Sequence, residues 1–317
     1  MSKPADEARQ IVAIGECMVE LSDRREGCRL GFGGDTLNTA LYLARLGMAV
    51  EYVTVLGDDP YSDRMIEAWR AEGIGTRFVG REAGRLPGLY AIRTDAQGER
   101  RFYYWRERSP ARELLTDSHA ATVAEALGEA HLVYLSGITV SILDTEQRRR
   151  LLGLLERVRE RGASLAFDPN YRPAGWPDAA TARAWFEDFY RMSTHAFPSL
   201  DDERALRPGT AVEDLAARLR GVGVAEVVVK DGENGCWIEA GEGLRHVPVS
   251  ESPTSIDSTA AGDSFNAGYL AARLCGLAPE RAAETAHRLA GAVVAHPGAI
   301  IPPDAMPDIS LRETEGT

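Results

Sequence analysis

Short, continuous apolar runs rich in Val, Ile and Leu stand at 10–14, 49–56, 132–135, 164–167 and 224–229, each closed by Gly, Asp or another polar residue. Runs of that length without alternation predict strands buried on both faces. Between them lie longer segments with apolar residues at helical spacing, at about 36–46, 61–72, 118–129, 141–161 and 279–295. Gly47 ends the first of these as a C-terminal cap, and the Arg and Glu residues of 141–161 mark a solvated face. Alternation of this kind predicts an α/β protein with a central, mostly parallel sheet flanked by helices. Residues 85–107 break the rhythm. Two β-prone runs, 89–94 and 101–106, surround Asp95-Ala96-Gln97-Gly98 and predict a hairpin outside the main sheet. Short strands are also expected at 195–198, 235–239 and 244–248, and residues 303–317 read as a polar tail.

One stretch adds chemistry to this pattern. Asp257-Ser258-Thr259-Ala260-Ala261-Gly262-Asp263-Ser264-Phe265-Asn266 runs directly into Ala267-Gly268-Tyr269-Leu270-Ala271-Ala272-Arg273-Leu274, which is helical in spacing and propensity. The small residues therefore sit where a helix begins. A helix start offers unpaired N–H groups and a positive dipole end, and small side chains let a phosphate approach them. Asp263 would then stand beside a bound phosphate, placed to take a proton from an attacking hydroxyl. Asp257 or Ser258 has a simpler reading as an N-cap.

Composition narrows the field of partners. The chain has 317 residues, 44% of them hydrophobic, and a formal net charge of −12. Nucleic acid and anionic membranes are poor partners for such a charge, although local arginines still bind anionic ligands. Cys17, Cys28, Cys236 and Cys275 are scattered without a CxxC pair, which points to free thiols and away from a zinc site. Residues 1–10 lack the apolar core of a signal peptide. No apolar run approaches the roughly 18 residues of a membrane span. A cytoplasmic protein is expected, and with no internal repeat it should be one domain over 1–317.

Other candidates follow from position. Gly33 and Gly34 precede a helix start, so they serve either a permissive loop or the close approach of a ligand. Asp168, Asn170 and Arg172 follow a strand's C-terminal end, where such sheets bind ligands; a capped turn is the other reading. Asp201-Asp202-Glu203 open a helix, where acidic residues complement the dipole or, near a nucleotide, hold Mg²⁺ through water. Lys230-Asp231-Gly232-Glu233-Asn234-Gly235 is a weak motif that a plain hairpin also explains.

Asp-Ser-Thr-Ala-Ala-Gly-Asp-Ser-Phe-Asn-Ala-Gly resembles the C-terminal signature of the ribokinase-like (PfkB) carbohydrate kinases. Gly-Gly-Asp-Thr-Leu-Asn-Thr-Ala, over 200 residues earlier, resembles their N-terminal signature. The resemblance covers essentially the whole chain. It implies the Rossmann-like ribokinase fold with a small β lid, its strands at about 21–33 and 85–107. It implies ATP and Mg²⁺ as co-reactants, Asp263 as catalytic base, and Ala260, Ala261 and Gly262 as the anion hole. Gly34 and Asn38 would meet the sugar, as would Tyr90, Tyr104 and Arg106 from the lid. Ser199, Lys230, Gly232 and Gly235 would border the nucleotide. At the family's Asn-x-x-Glu this chain has Ser199 and Asp202, so the metal contact through Asp202 departs from the pattern. Asp257 and Thr259 stand where members with a monovalent-cation site have ligands. Lids of this kind often pair in a homo-oligomer.

Arg106 and Arg172 come from separate segments. Two guanidiniums suit a carboxylate, through charge-assisted and often bidentate bonds; surface ion pairs are the plain alternative. Gly-Glu-Cys-Met-Val-Glu-Leu, Phe-Tyr-Tyr-Trp-Arg, Asp-x-Asn-Tyr-Arg-Pro and Pro-Ser-Leu-Asp-Asp-Glu together resemble the branch of the family that phosphorylates the 6-hydroxyl of 2-keto-3-deoxygluconate. A small-molecule sugar acid is thus the expected acceptor. A fructose or ribose kinase, and a non-catalytic sugar or nucleotide sensor on the same fold, are the alternatives.

Overall fold

The computed structural model describes residues 9–24, 27–94, 100–250 and 254–312. The predicted turn at 95–98 lies outside them. In chain order the elements are β1 (Ile11–Ile14), β2 (Met18–Arg24), β3 (Gly27–Gly33), α1 (Asp35–Arg45), β4 (Val50–Gly57), α2 (Pro60–Ala71), β5 (Val79–Glu82), β6 (Leu89–Thr94) and β7 (Arg100–Trp105). There follow α3 (Ala120–Glu129), β8 (Leu132–Ser136), α4 (Gly137–Ile142), α5 (Thr145–Glu160), β9 (Ser164–Asp168), α6 (Ala179–Met192), β10 (His195–Ala196), α7 (Leu200–Leu206) and α8 (Val212–Gly221). The chain closes with β11 (Glu226–Lys230), β12 (Cys236–Glu239), β13 (Leu244–Val247), α9 (Ala261–Leu274) and α10 (Pro279–Val294).

Among the described residues the strands form two sheets. The larger has the order β13-β12-β11-β10-β9-β8-β1-β4-β5. Its strands from β11 to β5 pair in parallel, and β12 and β13 add an antiparallel edge. Alternate side chains of β1 point to opposite faces, and each face has its own core. Ile11 and Ala13 join Leu41, Tyr269 and Leu289 of α1, α9 and α10. Val12 and Ile14 join Leu155 and Phe189 of α5 and α6. The smaller sheet has the order β3-β2-β6-β7.

Local differences from the sequence reading have local causes. The helix expected over 141–161 is two helices, because the Asp144 carboxylate caps α5 by accepting from the Gln147 amide at 2.8 Å. β5 escapes the pattern because Val79–Glu82 is only partly buried and carries Gly, Arg and Glu. The N-cap of α9 is neither Asp257 nor Ser258 but Ala260, in the left-handed region at φ 61. Asp257, nearly buried, instead accepts from the amides of Thr259 and Gly298, tying the stretch to the segment after α10. The four cysteines are free thiols. Among the described residues no helix is long and apolar enough to cross a membrane.

Candidate active site

Two cavities meet at the C-terminal ends of the parallel strands. The first, of about 630 Å³, lies between the small sheet and the large one and is lined by Glu16, Gly34, Asn38, Tyr90, Tyr104, Arg106 and Arg172. The second, of about 910 Å³, is lined by Asp168, Ser199, Asp202, Lys230, Gly232 and the whole stretch from Asp257 to Asp263. Asp35, Phe102, Tyr104, Ile138 and Arg172 border both.

Asp263 and Asn38 join the two cavities. Asp263 opens toward the second and Asn38 toward the first, and the Asn38 Nδ2 donates to Asp263 Oδ2 at 2.9 Å. Burial, and then the neighbouring charge of Asp35, push the Asp263 carboxyl up to about 7, against the opposing pull of the Asn38 hydrogen bond and of Lys230. A carboxylate with that proton affinity suits a general base at neutral pH. Asp35 is itself pushed up, chiefly by burial, and accepts from Asn170 Nδ2 at 2.9 Å.

Around Asp263 the backbone is ready for an anion. Ser264 donates its amide to Ala260 O at 2.9 Å and Ala261 to Ser258 O at 3.2 Å. Among the described residues the amides of Gly262 and Asp263 make no backbone hydrogen bond, as first-turn donors must. Ala260 and Gly262 carry little side chain into the space above them.

Three arms hold the wider site. Asp168, at the end of β9, accepts from Lys230 Nζ at 2.6 Å, Asn266 Nδ2 at 2.6 Å and the Asn170 amide at 3.0 Å. Asp202, pushed up by burial, accepts from the Tyr171 amide at 3.2 Å and from Arg172 at 3.4 Å. Ser199 caps α7 by accepting from the Asp202 amide. In the first cavity Arg106 is paired with Glu16 and lies near the Tyr104 ring. Tyr90 donates to Glu20, and burial raises its hydroxyl well above the usual range. Gly34 is glycine for space, since a Cβ there would stand 2.1 Å from the Glu16 carbonyl.

Most of the predicted site residues thus come together. Gly235 does not: it borders neither cavity. Its φ of 101 and the Val247 carbonyl 2.2 Å from any Cβ explain the glycine as a strand-pairing requirement. Asp35, Glu16 and Asn266 are central, yet the sequence reading does not single them out. A signal for two of them existed: Asp35 precedes Asn38, and Asn266 follows Asp263, by three residues of helix, which places each pair on one face.

The pfkB family carbohydrate kinase model matches residues 8–306. The 2-dehydro-3-deoxygluconokinase of Escherichia coli K12 is 45% identical over 307 residues, covering 95% of this chain and 99% of that protein. A crystal structure of 2-dehydro-3-deoxygluconokinase from Thermotoga maritima superposes with a TM-score of 0.82 at 22% identity, over 93% of this chain and 95% of that one. A putative ribokinase II from E. coli, in complex with ATP and Mg²⁺, gives 0.81 at 22% identity, over 92% and 94%. At those identities the two structures speak for the fold.

Proposed function

The chain belongs to the pfkB family of carbohydrate kinases, and from that premise we propose that it transfers the γ-phosphoryl group of ATP to the 6-hydroxyl of 2-dehydro-3-deoxygluconate. The observation that carries this reading is the buried Asp263 carboxyl, at about 7, at the junction of two cavities. The sugar acid occupies the first cavity and the nucleotide the second. Asp263 accepts the proton of the attacking 6-hydroxyl, and Asn38 holds the carboxylate in place. In the anion hole of Ala260, Ala261 and Gly262, the uncommitted Gly262 amide receives the charge on the phosphoryl group in flight, while the Ala261 amide turns to the Ser258 carbonyl. Ser199, Lys230 and Gly232 border the phosphates.

Gly34, Tyr90, Tyr104, Arg106 and Arg172 bind the acceptor, the two arginines meeting its carboxylate. The small sheet serves as the lid of a single domain. Along β7, Phe102 and Tyr104 line the cavity and alternate with Tyr103 and Trp105 on the outer face; all four rings are exposed, and the outer pair is where a second copy docks. Among the described residues no group of three His, Cys, Asp or Glu could hold a metal. The donor set therefore fits an ion that arrives on the nucleotide's phosphates, with Asp202 reached through water. Mg²⁺ supplies charge neutralisation there. A monovalent cation beside Asp257 and Thr259 belongs to the same reading.

Release of ADP, followed with 2-dehydro-3-deoxygluconate, fructose and ribose as acceptors, tests the assignment. The keto-deoxy acid should have the highest kcat/KM. A higher value for fructose overturns the acceptor, and no ADP with any of the three overturns the kinase.

A further inference from the structure

We propose that Lys230 is a catalytic residue whose ammonium touches the phosphoryl group during transfer, with Asp168 and Asn266 as the positioning residues that aim it. This rests on the kinase reading above and goes beyond a lysine that merely borders a nucleotide. Lys230 is the last residue of β11, and its side chain is only 13% exposed. An ammonium has three donors. One goes to Asp168 Oδ2 at 2.6 Å and one to Asn266 Oδ1 at 3.3 Å. Both partners are buried, and each is fixed in turn. Asn266 Nδ2 also donates to Tyr134 Oη at 3.0 Å, and Asp168 accepts from the Asn170 amide at 3.0 Å.

Among the described residues no acceptor takes the third donor, and Nζ lies 3.3 Å from where a Cβ on Gly262 would stand. That is directly over the first turn of α9, whose free amides await an anion. A long, mobile side chain has thus been reduced to one free hydrogen, held at the mouth of the anion hole. The charge balance agrees. Asp35, Asp168 and Asp263 gather three carboxyl groups around this point, and Lys230 is the cation among them. A dianionic phosphoryl group entering such surroundings needs a fixed positive charge.

The step balances simply. The acceptor oxygen bonds to the γ-phosphorus and gives its proton to Asp263. The bond from that phosphorus to the β,γ-bridging oxygen breaks, and the electron pair leaves on ADP. Lys230 donates a hydrogen bond to an equatorial oxygen throughout and keeps its proton.

Lys230→Met tests this in the full chain with MgATP and the keto-deoxy acid. A lost donor to charge in flight costs about 10²–10³-fold in kcat, with KM for both substrates little changed. Binding of ADP alone should persist. Binding of ADP with aluminium fluoride and the sugar acid, which mimics the group in flight, should be lost. The acid limb of the pH–kcat profile should move to higher pH, since a positive neighbour of Asp263 is gone. Lys230→Met leaves the buried Asp168 carboxylate without its counter-charge. The double variant Lys230→Met, Asp168→Asn restores neutrality and should be as slow, whereas Lys230→Arg should recover part of kcat.

A Lys230→Met or double variant that turns over as fast as wild type overturns the assignment, as does a loss confined to KM for ATP. If wild type transfers to no acceptor, the proposed function fails instead, so the two failures are distinct.

Discussion

The two ends of the site are built differently. At the transfer end, Asp263 is 9% exposed and tied to Asn38, and the buried Asp168 and Asn266 hold a part-buried Lys230 between them. At the acceptor end, the Arg172 side chain is 56% exposed and its contact with Asp202 is long, at 3.4 Å. Arg106 hangs from the small sheet and meets Glu16 across the cavity. The difference follows from what each end must do. A general base needs a fixed geometry and a shifted proton affinity, and both come from burial. A recognition group must exchange a protein partner for a ligand, and the long, exposed Arg172–Asp202 pair suits that, whereas Arg106, 21% exposed, is held against the buried Glu16 and must be drawn from it.

If this contrast is right, the largest effect of a single change lies at the transfer end. Asp263→Asn keeps the shape and removes the base, so kcat should fall by at least about 10²–10⁴-fold while ATP still binds. Near-normal turnover in that variant would erase the distinction between the two ends.

The acceptor end should respond more mildly and selectively. Arg106→Ala and Arg172→Ala each remove charge-assisted bonds to a carboxylate, a loss of about 10- to 100-fold in kcat/KM for the sugar acid. Fructose, without that carboxylate, should lose much less. Equal losses for both acceptors would mean that the arginines shape the lid and do not read the acid.

A smaller change sharpens the electrostatic side. Ionised Asp263 is the active form, so kcat/KM should fall as the pH drops through about 7. Asp35 raises that proton affinity. Asp35→Asn should therefore carry the acid limb to lower pH, opposite in sign to Lys230→Met. A limb that stays in place in both variants would show that another group controls it.

The same contrast explains what the sequence could tell. Asp263 and its anion hole are contiguous, so Ala260 to Asp263 are legible as one string at a helix start. The parallel strands are legible because burial on both faces makes them uniformly apolar. The partners of Asp263 are another matter. Asp35 opens α1, Asp168 ends β9 and Lys230 ends β11, so they stand far apart in the sequence, and the strand order β11-β10-β9 brings the last two together. Asp257 shows the converse. Its place in the string suggested a helix cap, yet it accepts from the amides of Thr259 and of Gly298, 41 residues away. A local pattern cannot announce so distant a partner.

A last effect concerns stability, and its sign separates a functional carboxylate from a structural one. Folding raises Asp263 from its ordinary 3.8 to about 7. Below both values the group is protonated in either state and contributes nothing. As the pH rises between them, the unfolded chain ionises first and unfolding is favoured, with the full penalty above about 7. Asp263→Asn removes that penalty and keeps the bond from Asn38, because an amide oxygen also accepts. The variant should therefore melt higher than wild type at pH 8, with the gap closing as the pH falls toward 4. A carboxylate retained for stability would give the reverse, a variant that melts lower at pH 8. Tm measured for both proteins across that range decides between them, and a higher Tm in a protein without turnover would mean that the buried charge at Asp263 is kept for catalysis at the expense of the fold.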